Sequence, residues 1–160
     1  MMNGFRIAIG SDFIGFPLKS SLKALLEVDT RISQIMDIGV NSTQDQNEYP
    51  NIGFALAHQI EIGEIDRGLL ICGTGIGMSI SANKVPGVRA AVVHDPYSLE
   101  RAILSNNCQV ICLGARVITD ELAKKLIKPW MGYVFDTSSP SNSKVERIAA
   151  LEKEFMNGSK

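Results

Sequence analysis

Residues 69–84 read LLICGTGIGMSISANK: an apolar run ends in Cys72, and Gly73, Gly75 and Gly77 alternate with Thr74 and Ile76 before small helix-forming residues follow. A free thiol ionises near pH 8.5, and the start of a helix lowers that value, so Cys72 has the chemistry of a base or a nucleophile. Glycine at alternate positions lets the backbone turn tightly and bring successive N–H groups toward one anion. For proton abstraction beside a carbonyl this combination suffices. The thiolate takes the proton and the amides hold the enediolate oxygen, each such donor being worth about 2.7–4 kcal/mol. Thr74 adds a hydroxyl for substrate oxygens. The competing reading is a buried cysteine that merely ends a core strand. Nucleotide binding is disfavoured by spacing: no Gly-Lys-Ser/Thr follows, and the third glycine comes one residue early for G-x-G-x-x-G.

Polar residues also end two other apolar runs, Ser11 and Asp12 after the first, His94 and Asp95 after the fourth. His94 reads three ways: a base for Cys72 in a Cys–His hydrolase, an acid acting across the site, or a strand-end residue donating to a backbone carbonyl. His58, beside Gln59 on a helix, reads as a surface residue. Cys108 and Cys112 read as buried structural thiols, and with only two histidines there is no four-ligand zinc set. Arg89 and Lys84 flank the turn KVPGVR as solvated or locally paired charges. Trp130 and Phe135 read as core or interface anchors.

The elements that must position these groups are legible as an alternation. RIAIGS precedes PLKSSLKALLE, ISQIMDIG precedes NIGFALAHQIEIG, RGLLICG precedes IGMSISANK, VRAAVVH precedes PYSLERAILSN, and CQVICLG precedes DELAKKLIKPWM. Five strand–helix units in series predict an α/β three-layer sandwich around a five-stranded parallel sheet. The strands lack period-two alternation, as expected when both faces are covered. Asp95 with Pro96, and Thr119 with Asp120 and Glu121, carry N-terminal helix signals. Residues 136–143 form a polar irregular connection, and 144–156 an extra C-terminal helix with no strand after it, suited to packing on a partner subunit. In such a sheet ligands bind beyond the carboxyl ends of the strands, so Asp12, the 72–77 loop and His94 should share one edge.

With 160 residues, 45% of them hydrophobic, the chain suits one domain spanning 1–160. A formal net charge of −1 with dispersed Lys and Arg gives no footprint for nucleic acid. Apolar runs fall far short of the roughly 18–20 residues of a bilayer span, and MMNGFR lacks the order of a signal peptide. Three cysteines without an export signal point to reduced thiols and a cytoplasmic protein.

ICGTGIGMSISANKVPGVRAAVVHD, together with IAIGSD, EYP at 48–50 and NNCQVICLGARVI, resembles the ribose-5-phosphate isomerase B and galactose-6-phosphate isomerase family over nearly the whole chain. The resemblance implies a Rossmann-like fold, homodimers or homotetramers with sites shared between subunits, and cofactor-free, metal-free aldose–ketose isomerisation of a sugar phosphate. It implies Cys72 as the base moving a proton between C1 and C2, Thr74 as its helper, and Gly73, Gly75, Ile76 and Gly77 as the enediolate cradle. Asp12 and Asn106 resemble substrate ligands, and Arg116 a basic residue at the substrate and phosphate site.

Three departures stand out. Phe13 replaces the histidine that usually follows the first-loop aspartate. Ser105 stands where ribose-specific members carry a ring-opening histidine. SSPSNSK replaces a Gly-Gly-Arg-His-x-x-Arg pattern that grips phosphate, leaving Lys144 at the second arginine position. A pentose 5-phosphate closes a furanose through O4 and gains from a ring-opening acid; a tetrose 4-phosphate has O4 blocked and needs none. Phe13 would also fill room that a longer sugar needs. Family frequency therefore points to D-ribose 5-phosphate and D-ribulose 5-phosphate, with His94 or Ser105 as possible acid–base groups. The departures, and the likeness of HDPYSLERAILSNN and GARVI to a tetrose-phosphate branch, point instead to D-erythrose 4-phosphate and D-erythrulose 4-phosphate. A non-catalytic partner subunit is the alternative of another class.

Overall fold

The computed structural model describes residues 4–158, in which the apolar runs become β1 (Phe5–Ser11), β2 (Ile32–Asp37), β3 (Arg67–Cys72), β4 (Ala90–Val92) and β5 (Val110–Gly114). They form one parallel sheet in the order β2-β1-β3-β5-β4, so the direction of winding switches between β1 and β3. That switch opens the crevice in which such sheets bind ligands.

The helices are α1 (Phe16–Glu27), α2 (Tyr49–Glu61), α3 (Ile76–Ala82), α4 (Pro96–Leu104), α5 (Asp120–Trp130) and α6 (Asn142–Gly158). The alternating direction of strand side chains divides the core in two. Ile7, Ile9, Leu69, Ile71, Ile111 and Leu113 pack against α1, α4 and α5, with Trp130 fully enclosed. Ala8, Leu70, Cys72, Val110 and Cys112 face α2 and α3. The three-layer sandwich is thus as expected. Asp95 accepts from the Ser98 amide at 2.8 Å and Thr119 from the Leu122 amide at 3.2 Å, so both N-caps form where the residue types placed them.

Three boundaries move. Tyr49 and Pro50 open α2 two residues ahead of the expected start, because Pro50 fits the first turn. β4 keeps only three residues. α6 begins at Asn142, inside the expected connection, and runs to Gly158. α6 touches the body through the buried Val145 and through Glu152, which accepts from the Gly87 amide at 2.8 Å, and it leaves Ile148, Leu151 and Met156 exposed. Among the described residues no helix is long and apolar enough to cross a membrane.

Candidate active site

The sheet register brings the first two candidate residues together. Ser11 pairs with Ile71, so Asp12 comes level with Cys72, while Gly114 pairs with Cys72 on its other side. Asp12 is buried, and its Oδ1 accepts from the Gly15 amide at 2.9 Å, which folds the Asp12–Gly15 turn back over the strand end. Cys72 is 5% exposed, and its Sγ accepts from the Gly75 amide at 3.1 Å. Gly75 manages this with φ +80°, a conformation that L side chains avoid. An N–H aimed at sulfur is placed to hold negative charge there.

The cradle is not as open as the glycine spacing predicts. The Gly75 amide serves the sulfur, and the Ile76 amide donates to Thr74 Oγ1 at 3.3 Å. Thr74 and Ile76 are exposed, and the Tyr49 ring lies over Gly77, where a Cβ would meet it at 2.5 Å. Arg116 leans over Gly73: a Cβ there would lie 3.8 Å from its Nη1 and equally near the Ile14 Cδ1. The Asp12 turn, the glycine loop and Arg116 therefore adjoin one another.

Beside them a cavity of about 500 Å³ opens between Asp12–Ile14 and Gln46–Pro50. Phe13 stands at it, 45% exposed. The chain that leads toward Gln46–Pro50 is tied to α1 near its start by the buried Lys19, whose Nζ donates to Asp37 Oδ1 at 2.7 Å and to the Val40 carbonyl at 2.5 Å. Tyr49 and Lys19 escaped the sequence reading. The EYP motif signalled the first, but the late helix start hid its position over Gly77; a lysine at an amphipathic-helix position gives no signal of burial.

His94 behaves otherwise than expected. Its Nε2 accepts from the Gly114 amide at 2.8 Å, so at this nitrogen the ring is an acceptor and not the donor expected, and the nitrogen is not bonded to Cys72. Burial holds the imidazole below its ordinary 6.5, against the pull of the neighbouring Asp95. The Cys–His pairing required by a hydrolase is not made.

Ser105 and Asn106 do not join Cys72 within one chain. They precede β5, whereas Gly114, paired with Cys72, ends it, and its four residue steps span about 13 Å. Ser105 Oγ accepts from Arg101 Nη1 at 3.1 Å, and Asn106 Nδ2 donates to the Arg101 carbonyl at 3.1 Å, closing the end of α4. Arg89, expected to be solvated or locally paired, is half-buried and bonds to main chain instead, donating through Nε to the Asn106 and Asn107 carbonyls at 3.2 and 2.9 Å. Lys144 is exposed on α6 and does not line the cavity. Cys108 and Cys112 are buried thiols, with burial pushing Cys108 up to about 11 and Cys112 higher still. His58 is exposed beside Glu61.

Residues 7–148 match the family described as Ribose/Galactose Isomerase. The chain belongs to that family. Over 147 residues it is 49% identical to D-erythrulose-4-phosphate isomerase 2 of Mycolicibacterium smegmatis, with 92% of this chain and 97% of that one covered. It is 46% identical over 146 residues to D-erythrulose-4-phosphate isomerase of Pectobacterium atrosepticum, covering 91% and 94%. The solved structure of Clostridium thermocellum ribose-5-phosphate isomerase B superposes with a TM-score of 0.87 at 35% identity, over 94% of this chain and 99% of the other. The ribose/galactose isomerase fold and the likeness to its tetrose-phosphate branch are thus both found.

Proposed function

We propose that this family member is a cofactor-free aldose–ketose isomerase of a sugar phosphate, with Cys72 as base, and that it acts on the pair D-erythrose 4-phosphate and D-erythrulose 4-phosphate. The observation that carries the chemistry is the row at the carboxyl edge: the Cys72 sulfur receives the Gly75 amide level with the buried Asp12. The thiolate removes the C2 proton of the aldose, the C–H electron pair becomes the C1–C2 double bond as the C1=O π pair moves to O1, and the thiol then gives the proton to C1 as an O2 pair re-forms the carbonyl at C2. Thr74 serves the oxygens between which a second proton moves. Gly73, Gly75, Ile76 and Gly77 shape the surrounding loop, Asp12 takes a substrate hydroxyl, and Arg116 takes the anionic end.

Three features support the shorter sugar. Phe13 occupies the cavity side, Ser105 is tied to Arg101, and His94 Nε2 is committed to Gly114. Each suits a substrate that needs no ring-opening acid. The second reading, D-ribose 5-phosphate with the same chemistry, is favoured by the close superposition on ribose-5-phosphate isomerase B. In either reading Asn106, Ser105 and Lys144 serve the site from a second copy, in a homodimer or homotetramer with shared sites.

The test is side-by-side isomerisation of both sugar phosphates by the wild type and Cys72→Ala. Preference for the tetrose, abolished by the substitution, supports the proposal; preference for ribose selects the second reading. Full activity of Cys72→Ala would remove the thiol from the mechanism. No turnover of either sugar, with slow alkylation of Cys72 by iodoacetamide, would indicate a non-catalytic subunit.

A further inference from the structure

We infer that His94 is a positioning residue: its neutral ring holds Gly114, and through Gly114 it sets the two loops that carry Thr74 and Arg116. The inference rests on the isomerase reading above, in which those two residues serve the substrate.

The strand ladder shows what the ring replaces. The Val93 amide donates to the Cys112 carbonyl at 3.1 Å, continuing the β4–β5 pairing one residue past Val92. In a parallel ladder the next bond would run from the Gly114 amide to the Val93 carbonyl. That amide donates instead to His94 Nε2 at 2.8 Å. A side chain has taken over a main-chain bond at the point where β5 leaves the sheet.

Much hangs on that point. A Cβ at Gly114 would lie 2.8 Å from the Cα, C and O of Thr74, so the two backbones cross in contact. The next residues bond back to the catalytic loop, Ala115 N to the Cys72 carbonyl at 2.8 Å and Arg116 N to the Gly73 carbonyl at 3.0 Å. Gly114 O accepts from the Val117 and Ile118 amides at 2.9 and 3.1 Å, which closes the following turn. Moving the Gly114 amide therefore shifts both loops.

Only the neutral ring can hold it. Accepting at Nε2 puts the proton of the neutral imidazole on Nδ1, and the imidazolium has N–H on both nitrogens and no acceptor. The charged group that acts on the ring is Asp95, itself held as the α4 cap by the Ser98 amide; Cys72 and Arg116 lie farther along, on the two strand ends joined beyond Gly114. Asp95 favours protonation and burial of the ring opposes it.

The experiment compares pH profiles of kcat/KM on D-erythrose 4-phosphate for the wild type, His94→Phe and His94→Gln, alongside the ¹⁵N–¹H signal of Gly114. The wild type should show an acid limb whose midpoint coincides with a titration of the Gly114 amide. His94→Phe, which leaves that amide without an acceptor, should lower kcat about tenfold or more above the wild-type midpoint, and the gap should close below it, where the wild-type ring has lost its acceptor too. His94→Gln, which offers a non-titrating acceptor, should recover most of that loss and abolish the limb. A limb that persists in His94→Gln, or a Gly114 signal that ignores His94, overturns the inference. A direct ring-opening role predicts the opposite pattern, with loss confined to D-ribose 5-phosphate. If neither sugar turns over, the isomerase reading fails by itself; the Gly114 titration and the pH dependence of Cys72 alkylation in the same variants still decide the role of His94.

Discussion

Cys72 and Gly114 stand opposite each other at the last paired position of β3 and β5, and the chain beyond both remains joined by the bonds from Ala115 to Cys72 and from Arg116 to Gly73. The glycine loop is thus held along a seam between two strand ends, with Cys72, the proposed base, at one side of the seam and the Arg116 side chain issuing from the other. This explains why a glycine is needed in each partner: Gly75 to turn with positive φ beneath the sulfur, Gly114 to let Thr74 cross at contact distance.

Gly114→Ala tests that seam. The added Cβ would meet Thr74 backbone atoms at 2.8 Å, which no rotamer change relieves. Unfolding in urea should show a loss of about 1–3 kcal/mol, the usual cost of overpacking. The fall in kcat should exceed what the folded fraction explains, because Thr74 moves against the substrate. Unchanged kcat in a destabilised variant would mean that Thr74 placement is not limiting.

The alternation of apolar runs with helical segments was enough to read the parallel sheet, and cap chemistry at Asp95 and Thr119 set helix starts correctly. The carboxyl-edge rule likewise placed Asp12, the Cys72 loop and His94 at one end. What local sequence could not carry was depth and distance. Lys19 reads as an ordinary surface position until α1 packs against Asp37 and Val40. Ser105 and Asn106 look close to the site in a motif, yet β5 runs between them and Cys72. The partner of His94 was legible only from knowing that β4 stops short, which three-residue strands do not announce.

Lys19→Met should be costly and should also reach the site. Lys19 is 2% exposed in its side chain, and removing it leaves Asp37 with Lys23 at 3.2 Å and the Val40 carbonyl without its ammonium. The expected loss is about 3 kcal/mol, at the low end for breaking a buried pair because Lys23 remains. As the 38–48 segment leads into Tyr49, KM should rise in the folded variant while kcat changes less. Denaturant titration and steady-state kinetics check the two halves separately.

Stability should fall as the solution is acidified below about pH 6.5, before any carboxylate contributes. The folded His94 ring titrates below its ordinary 6.5, so between the two values the unfolded chain binds more protons and unfolding is favoured by acid. Asp29, Asp66 and Asp95 work in a lower window: their partners hold them below the ordinary 3.8, so their contribution is complete above that value and is lost as pH falls through the folded ones. Urea midpoints measured from pH 7.5 to 5 should therefore slope downward in the wild type and lie flatter in His94→Gln. Parallel slopes would assign the upper window to another group.

Complementation between inactive chains tests the shared site. Asn106 lies at the amino end of β5, away from Cys72 of its own chain, so the proposed site takes Cys72 from one copy and Asn106 from another. Chains carrying Cys72→Ala and chains carrying Asn106→Ala should each be inactive alone. In a mixed isologous dimer one site receives both defects and the other receives neither. Refolding an equal mixture makes half of the dimers mixed, each with one intact site in two, so activity should return to about one quarter of the wild-type value. A homotetramer built from such pairs gives the same fraction. No recovery, with mixed assemblies confirmed by native mass spectrometry, would mean that Asn106 does not serve the partner's site, and would confine the substrate contacts to the Asp12 turn, the glycine loop and Arg116.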